Sequence, residues 1–259
     1  MIAKRSWRGL AAASLALVVA LATPWAASAD EADARKLLKA MSVYLAAQKT
    51  MAFSYDADLE VVTKDGQRLT LASSGTLALA RPDKLRATRA AGFADIELVF
   101  DGKTATLLAK TGNVYARVDE PGSVDRLIDV LRDKYGMLLP AADLLLPDPY
   151  ALLMADVVDV KDLGSGVVGG VECDHLAFRA KEVDWQIWIA HGPRPYPCKY
   201  VITSKQVAGG PQYSVQVRDW KAGSDVPASD FGFKPPAGSR EVAFKDLPGA
   251  SDLPAHFSK

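Results

Sequence analysis

Apolar and polar positions along the chain follow two different periods, and the switch between them lays out the elements. From Ala32 to Gln48, Leu37, Leu38, Met41, Tyr44 and Leu45 fall at i, i+1, i+4, i+7 and i+8, while Arg35, Lys36 and Lys39 take the opposite side. That spacing predicts an amphipathic helix with one face laid on a sheet, and Glu31 and Asp33 suit the positive end of its dipole. From Phe53 to Val61 the period becomes two: Phe53, Tyr55, Ala57, Leu59 and Val61 alternate with Ser54, Asp56, Asp58 and Glu60. The turn Lys64-Asp65-Gly66-Gln67 leads into a return strand from Leu69 to Ala80, in which Gly75 is expected to mark a bulge or a tight bend. Arg81-Pro82-Asp83 breaks that run. Strands are then expected over Lys84–Arg89, Ile96–Phe100, Thr104–Lys110 and Val114–Val118, divided by turns at Gly92, Asp101-Gly102-Lys103 and Thr111-Gly112-Asn113. Short turns between successive strands argue for an antiparallel up-and-down sheet and against βαβ units.

After Val118 the alternation stops. Ser123 is placed to cap a helix through Tyr135, with Leu127, Ile128 and Leu131 on one face and Gly136 at its end. Ala141–Leu146 and Tyr150–Ala155 read as short apolar helices divided by Pro147 and Pro149. A helical insert over residues 123–155 therefore interrupts the sheet, and its leucines must cover something. Strands resume with Val157–Leu163, followed by a flexible glycine-rich hairpin over Gly164–Gly170. A meander of Val171–Arg179, Asp184–Ala190 and Cys198–Ser204 comes next, and Gln212–Trp220 is the last long strand.

The first residues carry a different signal. Lys4, Arg5 and Arg8 precede an apolar run from Leu10 to Leu21, and Ala27-Ser28-Ala29 fits a small-residue cleavage site, so residues 1–29 read as an export signal cleaved after Ala29. A membrane span needs about 18 or more apolar residues; this run is shorter, and Pro24 follows it. Cleavage removes three basic and no acidic residues, leaving 28 basic against 31 acidic side chains, a charge of −3. That balance points away from a nucleic-acid partner. What remains is expected to form one domain over residues 30–240 and an extended tail over 241–259.

An exported chain meets an oxidising compartment, and the two cysteines, Cys173 and Cys198, accordingly suggest a disulfide. It would close a loop of about 25 residues and contribute about 3–4 kcal/mol through the unfolded state. In a flat meander, however, the first and third strands lie about 9.5 Å apart, beyond the ~7 Å limit on disulfide Cα atoms. Curvature at the strand ends would have to bring the two together; the alternative is a pair of buried free thiols.

Other candidate chemistry is thin. Gly164–Gly170 lacks the Gly-Lys-Ser/Thr sequence and the following helix of a phosphate loop. His175, His191 and His256 are not accompanied by a nucleophilic serine in a Gly-x-Ser-x-Gly elbow. Asp56 and Asp58 point to the same wet face of a strand, with too few further oxygen ligands for calcium. Trp185 and Trp188 fall on opposite strand faces. Two cysteines and scattered histidines lack metal-ligand spacing, and no motif implies a cofactor or an enzyme.

Three segments in order resemble motifs of the periplasmic outer-membrane lipoprotein carriers: Ser74-Gly75-Thr76-Leu77-Ala78-Leu79-Ala80-Arg81-Pro82, Phe100-Asp101-Gly102-Lys103-Thr104, and Phe231-Gly232-Phe233-Lys234-Pro235-Pro236-Ala237-Gly238. The second half, above all Gly170-Val171-Glu172-Cys173-Asp174-His175-Leu176 and Asp184-Trp185-Gln186-Ile187-Trp188-Ile189, is similar to a narrower family of predicted periplasmic proteins of unknown function. The resemblance implies a periplasmic α+β protein: a curved antiparallel half-barrel, here of about eleven strands, with helices covering an apolar concave face. It further implies a hydrophobic ligand, either a lipid, an acyl chain or a lipidated protein, exchanged with a membrane-bound donor or acceptor. Arg81 matches the carriers' arginine before proline, which is linked there to lid opening. The two cysteines and the longer insert depart from the carriers. By alternation and helix face, the expected cavity lining is Tyr55, Leu59, Leu77, Leu79, Leu85, Ile96 and Leu98 from the sheet, with Leu127, Leu131, Leu145 and Leu153 from the lid. A second expectation is a regulatory or structural interaction module, its concave face filled by its own helices and an outer strand edge open to a protein partner.

Overall fold

Each alternating stretch becomes a strand, and because one side of most strands is apolar the strands share one buried face. The computed structural model describes residues 25–137 and 139–249. The expected export signal up to residue 24, and residues 250–259 of the expected tail with His256, lie outside the described residues. The first helix, α1 (Trp25–Ala47), leads into a six-stranded meander. Its strands are β1 (Thr50–Val62), β2 (Arg68–Ala80), β3 (Lys84–Ala91), β4 (Ala94–Phe100), β5 (Thr104–Ala109) and β6 (Val114–Asp119). Helix α2 (Val124–Asp133), a 3₁₀ turn over Ala142–Leu145 and helix α3 (Pro149–Met154) form the insert. Then come β7 (Val157–Val168), β8 (Val171–Ala180), β9 (Val183–Ala190), β10 (Pro197–Ser204), β11 (Gln212–Ala222) and a two-residue strand, β12 (Arg240–Glu241).

All twelve strands pair into one unclosed sheet in the order β12-β6-β5-β4-β3-β2-β1-β11-β10-β9-β8-β7. Pairing is antiparallel throughout except between β12 and β6. The centre of the sheet is the seam between its two halves, where β1 lies between β2 and β11: Asp56 pairs with Ser74 on one side and with Gln216 on the other.

The two longer helices cover different flanks of one face. Helix α1 buries Ala34, Leu38 and Met41 completely, packing them with Leu176, Phe178, Trp185 and Ile187 of β8 and β9. Helix α2 buries Val124, Leu127, Ile128 and Leu131 with Met51, Leu79, Leu85, Phe100 and Val118 of the first meander. The half-barrel with helices on its apolar face is therefore what the chain forms.

Several local expectations are corrected. The ladder runs unbroken through Gly75, which pairs with Tyr55 on β1 and Arg89 on β3, so there is no bulge there. A Cβ on Gly75 would stand 2.6 Å from the Tyr55 ring, so the glycine makes room for that ring and for the Thr88 carbonyl. The glycine-rich segment is mostly strand: β7 continues to Val168, with Gly166 opposite Cys173, and the turn shrinks to Gly169-Gly170. Both of those glycines have positive φ, +57° and +84°, the backbone that a two-residue hairpin demands. Ser123 sits at the N-cap of α2 but makes no side-chain cap bond; instead the Val124 N–H donates to the Pro82 carbonyl at 2.8 Å. Beyond β12, Leu247 is buried with Ile96, Leu107 and Val114, and Phe244 packs beside it, so residues up to 249 lie against the sheet.

Candidate functional site: an apolar cavity between the covered flanks

With α1 over one flank and α2 over the other, the central strands keep uncovered apolar side chains, and between the helices lies a cavity of about 840 Å³. Alternation decides what faces it. On β1 the inward set is Met51, Phe53, Tyr55 and Leu59; on β2 it is Leu71, Ser73 and Leu77; on β3 it is Leu85, Ala87 and Arg89. Ile96 and Leu98 of β4 and Leu107 of β5 extend the floor. Leu127, Ile128 and Leu131 of α2, with Met137 and residues 139–142, 144 and 145, form one wall, and Ile202, Tyr213, Val215, Val217 and Trp220 of β10 and β11 form another.

Nine of the sequence-derived candidates thus stand in this wall: Tyr55, Leu59, Leu77, Leu85, Ile96, Leu98, Leu127, Leu131 and Leu145. Leu79 and Leu153 do not. Leu79 shares the inward sense of Leu77 but is covered by α2, with Met51, Leu85 and Phe100 around it. Leu153 of α3 turns into the cluster beneath α1, with Leu38, Met41 and Leu144. Arg81 also lies outside the cavity wall. It sits at the end of β2, its N–H donating to the Lys49 carbonyl at 2.8 Å, while its Nε and Nη2 are buried with no hydrogen-bond partner among the described residues. Burial pushes the Arg81 pKa down, and Asp125 in the first turn of α2 pulls the other way.

Phe53, Arg89, Tyr213 and Trp220 are among the wall residues that sequence reasoning missed. Trp220 closes one end of the wall: its ring stacks on Phe53 at 5.5 Å and on Tyr196 at 5.2 Å, and its Nε1–H donates to the Tyr44 hydroxyl at 3.3 Å. The Tyr55 hydroxyl donates to the Thr88 carbonyl at 2.8 Å, which pins its ring over Gly75. Burial raises the Tyr213 pKa strongly, with Tyr55 adding to it and Arg89 opposing; burial likewise raises that of Tyr55. Both phenols therefore stay neutral at physiological pH.

Cys173 and Cys198 meet at the far end of β9, outside the cavity. Cys173 pairs with the last residue of that strand, Ala190, and a register shift between Pro197 and Lys199 turns Cys198 toward it. The expected gap of two strand spacings disappears because both side chains reach around a strand end. The two thiols are buried, unbonded, and 2.8 Å apart at Sγ. Burial raises the pKa of both, most for Cys198, and that of the neighbouring Tyr196 to about 12. His175 stacks on Trp188 at 3.9 Å and shares a hydrogen bond with Gln186, while His191 sits 2.7 Å from Asp174. The two imidazoles thus have different partners, and among the described residues no group of three or more His, Cys, Asp or Glu could hold a metal ion.

The chain is similar to several solved structures, all of low identity. An uncharacterized conserved protein from Thermus thermophilus is 11% identical, with 82% of this chain and 99% of that one covered and a TM-score of 0.47. LprF from Mycobacterium bovis is 11% identical, covering 76% and 95%, with a TM-score of 0.47. The Mycobacterium tuberculosis lipoprotein LppX is 11% identical, covering 77% and 98%, with a TM-score of 0.39. No curated protein matches the chain. Over residues 34–245 the sequence matches the family described as Predicted periplasmic protein (DUF2092), and it is to this family that the chain belongs.

Proposed function

We propose that this protein is a non-catalytic periplasmic carrier that holds a lipid, an acyl chain or the lipid of a lipidated partner in the cavity, taking it from or passing it to a membrane-bound partner. One observation carries the reading: a cavity of about 840 Å³ whose wall is leucine, isoleucine, valine, methionine and aromatic rings over most of its extent. Ligand sites usually measure about 300–1,000 Å³ and are largely preformed, whereas a face that served only to pack against its own helices would be filled, since interiors are close-packed. Along β1 the wall extends from Met51 to Leu59, about 26 Å at the usual rise per residue, the length of an extended chain rather than of a compact metabolite. In the oxidising compartment Cys173 and Cys198 are joined in this reading as a disulfide, their two protons and two electrons passing to a disulfide-bearing oxidant by thiol–disulfide exchange.

A second reading rests on a separate feature. The sheet ends at β7, and this open edge strand exposes Val158, Leu163 and Val167, the first and last by more than 70%. Exposed apolar edges invite strand addition by a partner protein. The deciding experiment extracts the mature protein, purified from the periplasm, with organic solvent and analyses the extract by mass spectrometry. A stoichiometric lipid, absent from a folded Leu98→Asp variant, is the expected result. A clean extract together with no uptake of a fluorescent fatty acid overturns the carrier and leaves the edge reading.

A further inference from the structure

A second cavity, of about 450 Å³, lies on the other face of the sheet. Leu107 of β5 faces the first cavity, so its neighbour Thr106 points the opposite way. Between β11 and β12 the chain crosses this outer face as a strap: Arg86 Nη1 donates to the Asp230 carbonyl at 2.6 Å, and Asn113 Nδ2 donates to the Ala237 carbonyl at 3.1 Å. The strap carries Phe231-Gly232-Phe233, and both phenylalanines stand half-buried in the cavity wall. Phe233 is held there by Tyr115, their ring centres 5.2 Å apart. Thr106 lies in the floor, set by the ladder between Val99 of β4 and Arg117 of β6. It is only 3% exposed, yet its hydroxyl has no hydrogen-bond partner among the described residues. Valine has the same shape and would fill this position without leaving a polar group unsatisfied, so packing alone does not account for the threonine.

The rim is charged: Asp101, Asp119 and Glu241 stand there with Arg117. Asp119 Oδ1 accepts from the Thr104 hydroxyl at 3.1 Å, and Asp101 Oδ1 accepts from the Lys103 and Thr104 N–H groups, both at 2.9 Å. Each carboxylate is therefore oriented before any ligand arrives. Arg117 pairs with Glu241 at 3.4 Å. The carboxylates do not converge on one point, since among the described residues no three His, Cys, Asp or Glu could hold a metal ion. Dispersed acceptors, a guanidinium donor and flanking aromatic rings suit a body with polar groups around its edge and an apolar face, and do not suit a point charge. We infer that this cavity binds an uncharged saccharide. A pyranose ring has hydroxyls around its rim, which both donate and accept, and C–H faces that pack on the negative faces of aromatic rings. Phe231 and Phe233 would take such a face, Asp101 and Asp119 would accept from rim hydroxyls, and Thr106 would gain the partner it lacks. Three carboxylates against one guanidinium repel an acidic sugar, so the ring is neutral. The volume is within the usual range for ligand sites. None of these residues lines the first cavity, so this site is independent of the carrier reading.

The test probes an array of neutral and acidic oligosaccharides with the labelled mature protein, then titrates the best-retained neutral tetrasaccharide by calorimetry. Retention on glycans of at least one neutral ring type, and not on those of uronic or sialic acids, is the expected result. Asp119→Asn should weaken the titrated binding about ten- to a hundredfold, as for a hydrogen bond to a charged group, and Thr106→Val about three- to tenfold. Thr106→Val should leave the melting temperature unchanged or raised, whereas a lowered one would show that the hydroxyl is already bonded within the protein and overturn the site. Should Asp119→Asn fail to fold, amide chemical shifts of the wild-type protein decide the same point: the tetrasaccharide must move those of residues 231–233 and of β5 while leaving β1 and β2 in place. No retained neutral glycan, equal retention of acidic ones, binding that both variants leave intact, or shifts confined to other elements overturns the saccharide site and leaves the carrier standing.

Discussion

At the scale of single residues, Gly75 shows how one missing side chain shapes the cavity floor. Its place opposite Tyr55 lets the phenol ring lie flat across β2 and reach the Thr88 carbonyl. Gly75→Ala would put a methyl into that ring and against the carbonyl, so it is expected to destabilise the protein by about 1–3 kcal/mol, the usual cost of overpacking. Thermal unfolding followed by circular dichroism measures this; an unchanged midpoint would mean the ring has another resting place. In the sequence the same glycine suggests a bulge, because a glycine inside an alternating run does not reveal what crosses it. The lining was legible for a related reason. Once one inward residue is known, a period of two assigns the rest, which is how Tyr55, Leu59, Leu77 and Leu98 are found. Leu79 obeys the rule and is nonetheless covered, because which inward residues a helix hides is decided by the packing of α2. Arg89 has the same parity, but a charge in an alternating strand reads as the wet side.

At the scale of elements, the insert divides into two helices held in different ways. The first N–H of α2 is taken by the main chain, through the Pro82 carbonyl, whereas α3 begins with Asp148, whose carboxylate accepts from the Ala151 N–H at 3.1 Å ahead of Pro149 in the first turn. Ser123→Ala should therefore change stability by less than about 0.5 kcal/mol, and Asp148→Ala should cost about 1 kcal/mol. Urea denaturation of the two variants checks this, and a larger loss for Ser123→Ala would show that the serine does cap its helix. Periodicity locates both helices because their apolar faces are regular; it does not tell which cap bonds form, since those depend on a carbonyl far upstream of α2 in the sequence. Likewise the run Gly164–Gly170 reads as a loop from composition, yet the pairing partner Val171–Asp174 draws most of it into β7.

At the scale of the whole molecule, the cysteine pair stands where a disulfide would tie the start of β8 to the start of β10 across β9. If the disulfide forms in the exported protein, adding a reductant should lower the melting temperature by roughly 10 °C, from about 3–4 kcal/mol for a loop of this length and about 2–4 °C per kcal/mol for a chain of this size. Thiol titration of the denatured periplasmic protein gives the independent check: two reactive thiols would contradict the bond. Both sulfurs are buried and would leave as thiols of raised pKa, which slows attack by an external thiolate, so the reductant should be given a long incubation before the melt. The half-barrel itself was legible because strand after short turn after strand leaves few other topologies. The docking of residues 240–249 was not, because a proline-marked polar stretch carries little period, and its anchors, Phe244 and Leu247, are isolated apolar residues.

The seam at the centre of the sheet bears on how the chain finds its shape. Residues 50–119 and 157–222 can each zip up locally, hairpin by hairpin, but the pairing of β1 with β11 joins positions such as Asp56 and Gln216 that are 160 residues apart. Loop closure over that distance has to be met before the ladder rewards it, which makes the join a late and slow event. The cavity straddles this very line, with β1, β2 and β3 on one side and β10 and β11 on the other. Until the two halves meet there is no pocket, only two exposed apolar surfaces, so a greasy cargo present during export would have a surface to adhere to before it had a place to be held.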